Sequence, residues 1–164
     1  MSADHSSDVS VTVGNSDEVG ALVELWLELA EDQRRHGSHM LSEANRATIR
    51  ETMLQHVMTE TAIVARRNGS IVGFVTFEVE NGRYQQDLSR GIIQNVYVQR
   101  EHRNDGIGNR LLTAAETALE RRGVDVISLE AMAANDRAIR FYRRHGYEDY
   151  RIELEKPINS DPQK

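Results

Sequence analysis

Apolar and polar residues alternate through VSVTVG, residues 9–14, which is the two-residue period of a half-buried strand. The period then changes. Val19, Leu22, Val23, Trp26, Leu27 and Ala30 recur at helical spacing, with Ser16 or Asp17 as the cap. Gly37 breaks this pattern inside RRHGSHMLSE, and a second helix is expected over 43–58, with Ala47, Ile49, Met53, Leu54 and Val57 on its apolar side. TAIVARR, then Asn68-Gly69, then SIVGFVTFEVE reads as a hairpin, because Asn-Gly suits the tight type I′ turn. A polar loop containing Gly82 leads to a strand over 92–98 and a charged loop. The helix that follows runs to Arg122 and carries Ile107, Leu111, Ala114, Ala115, Ala118 and Leu119 on its buried stripe, with Gly123 as its stop. VDVISLE (124–130) reads as a strand, NDRAIRFYRRHG as a short helix from about Asn135 to Gly146, and YEDYRIELE (147–155) as a last strand.

The order β-α-α-β-β-β-α-β-α-β predicts one α/β domain over 9–155, a mixed sheet with helices packed on its faces. Residues 1–8 read as a disordered leader and 156–164 as a flexible tail. Composition narrows the class. The 164 residues are 39% hydrophobic and 28% charged, as in a soluble globular protein. No apolar run approaches the roughly 20 residues that span a bilayer, and the polar, acidic first residues are unlike a signal peptide. The chain has no cysteine, which excludes disulfides, thiolate metal sites and a cysteine nucleophile and suits a cytoplasmic protein. A net charge of −6 disfavours nonspecific nucleic-acid binding. The cations are almost all arginine, which fits a salt-rich milieu and GC-rich coding equally well.

The chemistry concentrates in VYVQREHRNDGIGNRLL, residues 96–112, a strand, a charged turn and a helix start. A helix start exposes unpaired N–H groups at the positive end of a dipole and so attracts an anion such as phosphate. A side chain at the turn would hold the anion away, and glycine removes that obstacle. Gly106 and Gly108 therefore allow close approach, the backbone from Asn104 through Asp105 and Ile107 to Asn109 supplies amides, and Arg103 adds a charge-assisted donor. The stretch lacks both the Gly-Lys-Ser/Thr of a nucleotide-hydrolysing P-loop and the first glycine of a dinucleotide fingerprint. His36 and His39 lie three apart, but with no further clear ligand nearby they read as exposed loop residues rather than a metal site.

The spacing Arg-x-x-Gly-x-Gly, together with NDRAIRFYRRHGYE downstream, resembles the two signatures of the GCN5-related N-acetyltransferases. That resemblance implies a mixed, mostly antiparallel sheet with helices on both faces, in which the strands over 92–98 and 124–130 splay apart. It implies acetyl-CoA as co-substrate, its pyrophosphate on the Arg103–Asn109 turn and its pantetheine arm on the main chain of Val96, Tyr97 and Val98. By the same resemblance Tyr142 is the general acid, Asn135 a cofactor contact and Glu130 the base that takes the amine proton, a placement similar to that of bacterial enzymes acting on ribosomal-protein N-termini. Glu78 and Glu80 are alternative bases. The implied acceptor is a primary amine, on a protein N-terminus or a small molecule; a non-catalytic acyl-CoA-binding module is the alternative. Family members are commonly monomers or dimers, and a homodimer is the expectation here, with no membrane or nucleic-acid partner.

Overall fold

A computed structural model describes residues 8–159 of the chain. The leader and the last residues of the tail lie outside that range. The elements are β1 (Val9–Val13), α1 (Val19–Arg35), α2 (Arg46–Met58), β2 (Ala62–Arg67), β3 (Ser70–Val79), β4 (Arg90–Val98), α3 (Ile107–Arg121), β5 (Val126–Leu129) and α4 (Asp136–Arg144). The sheet order is β1-β2-β3-β4-β5, antiparallel throughout except for the parallel β4–β5 pair.

Local chemistry explains the joints. Asn15, one residue ahead of the expected caps, forms a reciprocal capping box with Glu18 that starts a short 3-10 turn leading into α1. Arg66 reaches across from β2 and pairs with the same Glu18, holding its carboxyl below the usual carboxylate range. Asn68 and Gly69 take φ of 53° and 79°, as the tight hairpin turn between β2 and β3 demands. Gly123 and Gly146 end α3 and α4 with φ of 82° and 91°.

The sheet is covered on both faces, which is why six consecutive residues of β3, from Val72 to Phe77, are buried. On one face Phe74 and Tyr97 pack with Leu22, Val23 and Leu27 of α1 and Ile49, Met53 and Val57 of α2. On the other, Val75, Phe77 and Ile93 pack with Ile107, Leu111, Leu112, Ala115 and Leu119 of α3. Leu112, absent from the expected stripe of α3, is fully buried, because this helix lies flat on the sheet and buries a wider face. Leu54, expected inward on α2, is 42% exposed. Its place toward the core is taken by His56, whose Nδ1 hydrogen-bonds Thr61 Oγ1 at 2.7 Å.

The expected last strand does not form. Residues 147–159 have no regular structure, and the sheet ends at β5. The alternation in YEDYRIELE is present, but the segment pairs with no strand, and the outer edge of β5 stays open.

Gly73 sits where β3 crosses closest to β4: a Cβ there would lie 2.7 Å from the Tyr97 carbonyl oxygen. Gly73→Ala forces the ladder apart beside the site described next. It is expected to lower unfolding stability by about 2 kcal/mol, measured by urea denaturation.

Candidate active site

The parallel pairing of β4 with β5 covers only Arg90 to Ile93 against Val126 to Leu129. β4 continues to Val98, paired with β3 on one side and with nothing on the other. Directions within this open stretch follow from the ladder. The Gln99 N–H donates to the Val72 carbonyl of β3 at 2.8 Å. Polar groups alternate sides along an antiparallel strand, so Val98 and Val96 turn theirs to the open edge and Tyr97 turns its own to β3. The Arg103 Nε confirms the sense, donating to the Val98 carbonyl from the open side at 2.8 Å. Of the three expected strand contacts, Val96 and Val98 therefore turn to the open side, where the Val98 carbonyl is taken by Arg103. Tyr97 serves through its ring and hydroxyl instead.

The chain then turns through Arg100–His102 into the glycine turn. Asn104 and Gly106 take left-handed backbone angles, φ of 70° and 77°, and Gly106 becomes the N-cap of α3 without a side chain to cap it. The first intrahelical bond runs from the Arg110 N–H to the Gly106 carbonyl at 3.1 Å, leaving the N–H groups of Ile107, Gly108 and Asn109 without acceptors among the described residues. Gly108 is needed by nothing inside the chain: its φ is ordinary, and an added Cβ would come no closer than 3.5 Å, to the Phe141 ring. A glycine inside a helix costs about 1 kcal/mol relative to alanine. Space for a ligand is what that cost secures here.

The flanking side chains brace the turn. Asp105 accepts from Arg67 at 3.2 Å, Arg137 reaches Asn104 Oδ1 at 3.5 Å, and the Asn109 side chain meets His145 at the end of α4. Arg103, expected to reach a phosphate, is held by its Nε on Val98 and stacks over the Tyr97 ring at 5.5 Å. Its side chain also lines the cavity described below.

α4 packs along α3. Asn135 caps it, accepting from the Ala138 N–H at 3.2 Å, so the side chain's first role is structural and is worth about 1 kcal/mol. Tyr142 is half-buried, edge-on to Phe141 at 5.4 Å and to Tyr147 at 6.1 Å. Its hydroxyl makes no hydrogen bond among the described residues, and burial pushes its pKa up to about 12. Glu130 follows β5 directly and is exposed, without a hydrogen-bond or ion-pair partner among the described residues. Glu78 is exposed on β3, whereas Glu80 is engaged by Gln86 and by Arg90 at 4.0 Å. His39 lies in the loop after α1, its Nε2 3.0 Å from Glu155. Among the described residues no three His, Cys, Asp or Glu side chains are grouped to hold a metal, and no helix is long and apolar enough to cross a membrane.

One feature escaped the sequence reading. A cavity of about 580 Å³ opens between α1, the loop after it and the β4–α3 turn, and Tyr97 and Arg103 form its inner wall. Glu24, Glu28, Glu31, Asp32, Glu43 and Glu101 face it, against three arginines. The Tyr97 hydroxyl donates to Glu28 at 3.1 Å, and burial, reinforced by that carboxylate, pushes its pKa up to about 12. The signal was available: Glu24, Glu28 and Asp32 recur four apart, and such like-charge rows oppose helix formation.

Residues 21–147 match the acetyltransferase (GNAT) family. The chain belongs to that family. Two curated relatives are N-alpha-acetyltransferase 30 of Schizosaccharomyces pombe, 30% identical over 58% of this chain and 63% of its own length, and the mycothiol acetyltransferase of Thermobispora bispora, 31% identical over 56% of this chain and 31% of its own. The chain thus matches less than two thirds of either relative. Among solved structures, an aminoglycoside N-acetyltransferase in complex with CoA shares the fold, with a TM-score of 0.67 at 12% identity, over 92% of this chain and 95% of that one. GNAT proteins bind acetyl-CoA or CoA, and the groups present here fit such a ligand: three free N–H donors for a diphosphate and an open strand edge for an amide-bearing arm.

Gly108→Leu tests this fit, because a Cβ at this position makes only ordinary van der Waals contact with the fold. Its melting temperature without ligand should stay within a few degrees of wild type. The stabilisation of about 2.7 kcal/mol that CoA gives at a hundred times its dissociation constant should be lost.

Proposed function

We propose that the protein is an acetyl-CoA-dependent N-acetyltransferase that moves the acetyl group to a primary amine by direct attack. The observation that carries the reading is the continuity of the β4 side that no strand covers with the uncapped start of α3, a single track of main-chain groups on which Arg103 holds the Val98 carbonyl. On it, Val96 and Val98 would pair with the pantetheine amides as an added strand does. The N–H groups of Ile107, Gly108 and Asn109 would take the diphosphate. The Val98 N–H is the donor positioned for the thioester carbonyl oxygen.

The remaining steps are proton transfers. The amine nitrogen attacks the thioester carbon, a C–N bond forms and the C–S bond breaks. The amine must first lose a proton, and Glu130, exposed and unpartnered beside the cleft, is the base best supported over Glu80, which is already engaged. The departing sulfur takes a proton from Tyr142. With its pKa raised to about 12, that hydroxyl stays protonated through neutral and moderately alkaline pH, as an acid must.

The acceptor enters from the acidic cavity. A primary amine is a cation before it reacts, and six carboxylates in a half-enclosed space raise its local concentration and select acceptors bearing further positive charge. Protein N-termini and small-molecule polyamines both meet that description.

Purified protein mixed with acetyl-CoA and a panel of amines is expected to release free thiol, fastest with polycationic acceptors. Binding of CoA without thiol release for any amine would favour the non-catalytic acyl-CoA module. Tyr142→Phe should cut kcat about a hundredfold while leaving the KM for acetyl-CoA near wild type. Glu28→Gln should raise KM several-fold for a diamine and leave it unchanged for an amine with a neutral tail, read from initial rates on the two acceptors.

A further inference from the structure

The glycine turn that opens α3 contains an acid. Asp105 stands between Asn104 and Gly106, both left-handed, one residue ahead of the helix's cap position. A carboxylate there works against a diphosphate, since like charges repel. It also competes for the same groups. Aspartate is among the preferred capping residues, and the positive end of the helix dipole draws a carboxylate to bare amides. Yet no side chain caps α3. The reason lies on another strand. Arg67, the last residue of β2, donates from Nη2 to Asp105 Oδ2 at 3.2 Å and from Nη1 to His102 Nδ1 at 2.8 Å. Its Nε lies 3.6 Å from Asp8 Oδ1, just ahead of β1. The Arg67 side chain is 13% exposed, so the guanidinium is held from three sides and shielded from water more than in an ordinary surface pair.

We propose that Arg67 is a positioning residue for the cofactor: it holds the Asp105 carboxylate on β2 and so keeps the amides of Ile107, Gly108 and Asn109 open to a diphosphate. Without that guanidinium, Asp105 caps α3 itself and sets a negative charge where the anion binds. Arginine suits the task because its fork reaches Asp105 and His102 at once from separate nitrogens, which the single nitrogen of a lysine does not. Arg67 is 38 residues from Asp105 along the chain. The β2–β3 hairpin thus decides whether the site's own acid or the ligand takes the free amides. The inference rests on the reading of the α3 start as a diphosphate site and adds to it the residue that keeps that site vacant for its ligand.

Calorimetric titration of the protein with CoA tests it. Arg67→Met should raise the dissociation constant about tenfold, the size of a cap bond together with like-charge repulsion. Asp105→Ala should bind CoA at least as tightly as the wild type. Adding Arg67→Met to Asp105→Ala should then cost less than about twofold, because the carboxylate to be restrained is gone. Amide resonances give a readout without ligand. Arg67→Met should shift the signals of Ile107, Gly108 and Asn109 in the unliganded protein, and should leave them in place when introduced into Asp105→Ala. Equal CoA affinity in the wild type and Arg67→Met overturns the proposal. So does an Arg67→Met defect that persists undiminished beside Asp105→Ala, which marks the arginine as a structural brace only. Amide signals that stay put in the first background or move in the second overturn it as well. Should the wild-type chain itself bind no CoA, the diphosphate reading fails and this inference with it.

Discussion

Main-chain N–H and C=O groups left unpaired away from water are costly, and the architecture of this protein turns on one place where it leaves them unpaired. β4 is nine residues long and β5 four, so their ladder stops at Ile93 and Leu129 while β4 runs on. β3 satisfies one side of the extension, through contacts close enough that Gly73 has no room for a side chain. The other side faces the gap. A strand edge in that condition is a template for another extended molecule, and the polar groups of Val96 and Val98 define where that molecule would lie.

The helix that follows continues the same condition. α3 begins on a residue with no side chain, so its first amides stay free, and the surrounding contacts are spent on holding the turn in place rather than on capping it. Arg103 joins the two halves: anchored on the Val98 carbonyl, it carries positive charge from the strand edge to the wall of the acidic cavity. The cavity and the edge meet at Tyr97, which divides its groups between them, the main chain to β3 and the hydroxyl to Glu28. Two halves of opposite electrostatic character thus adjoin, one suited to an anionic diphosphate and the other to a cationic amine.

Much of this was legible in the sequence wherever the cause is local. Asn68-Gly69, the glycines closing α3 and α4, and the Arg-x-x-Gly-x-Gly turn each act through the backbone of a few adjacent residues, and each stands where the sequence places it. What depends on distant neighbours was less readable. The alternation over 147–155 predicts a strand, but a strand exists only when paired, and this segment pairs with none although β5 has an open edge. Leu54, expected inward, is exposed, while His56 is buried on a hydrogen bond to Thr61 from the following turn, a partner outside the helix. The acidic row of α1 passes for a solvated face until the fold sets the β4–α3 turn opposite it.

The central claim is that the free edge of β4 and the bare start of α3 form one binding track. A crystal structure of the protein grown with acetyl-CoA measures this directly. The account predicts diphosphate oxygens within hydrogen-bond distance of the N–H groups of Ile107, Gly108 and Asn109, and pantetheine amides paired with Val96 and Val98 in the gap beside β5. Acetyl-CoA bound elsewhere, with that gap closed by the protein's own chain, would contradict it.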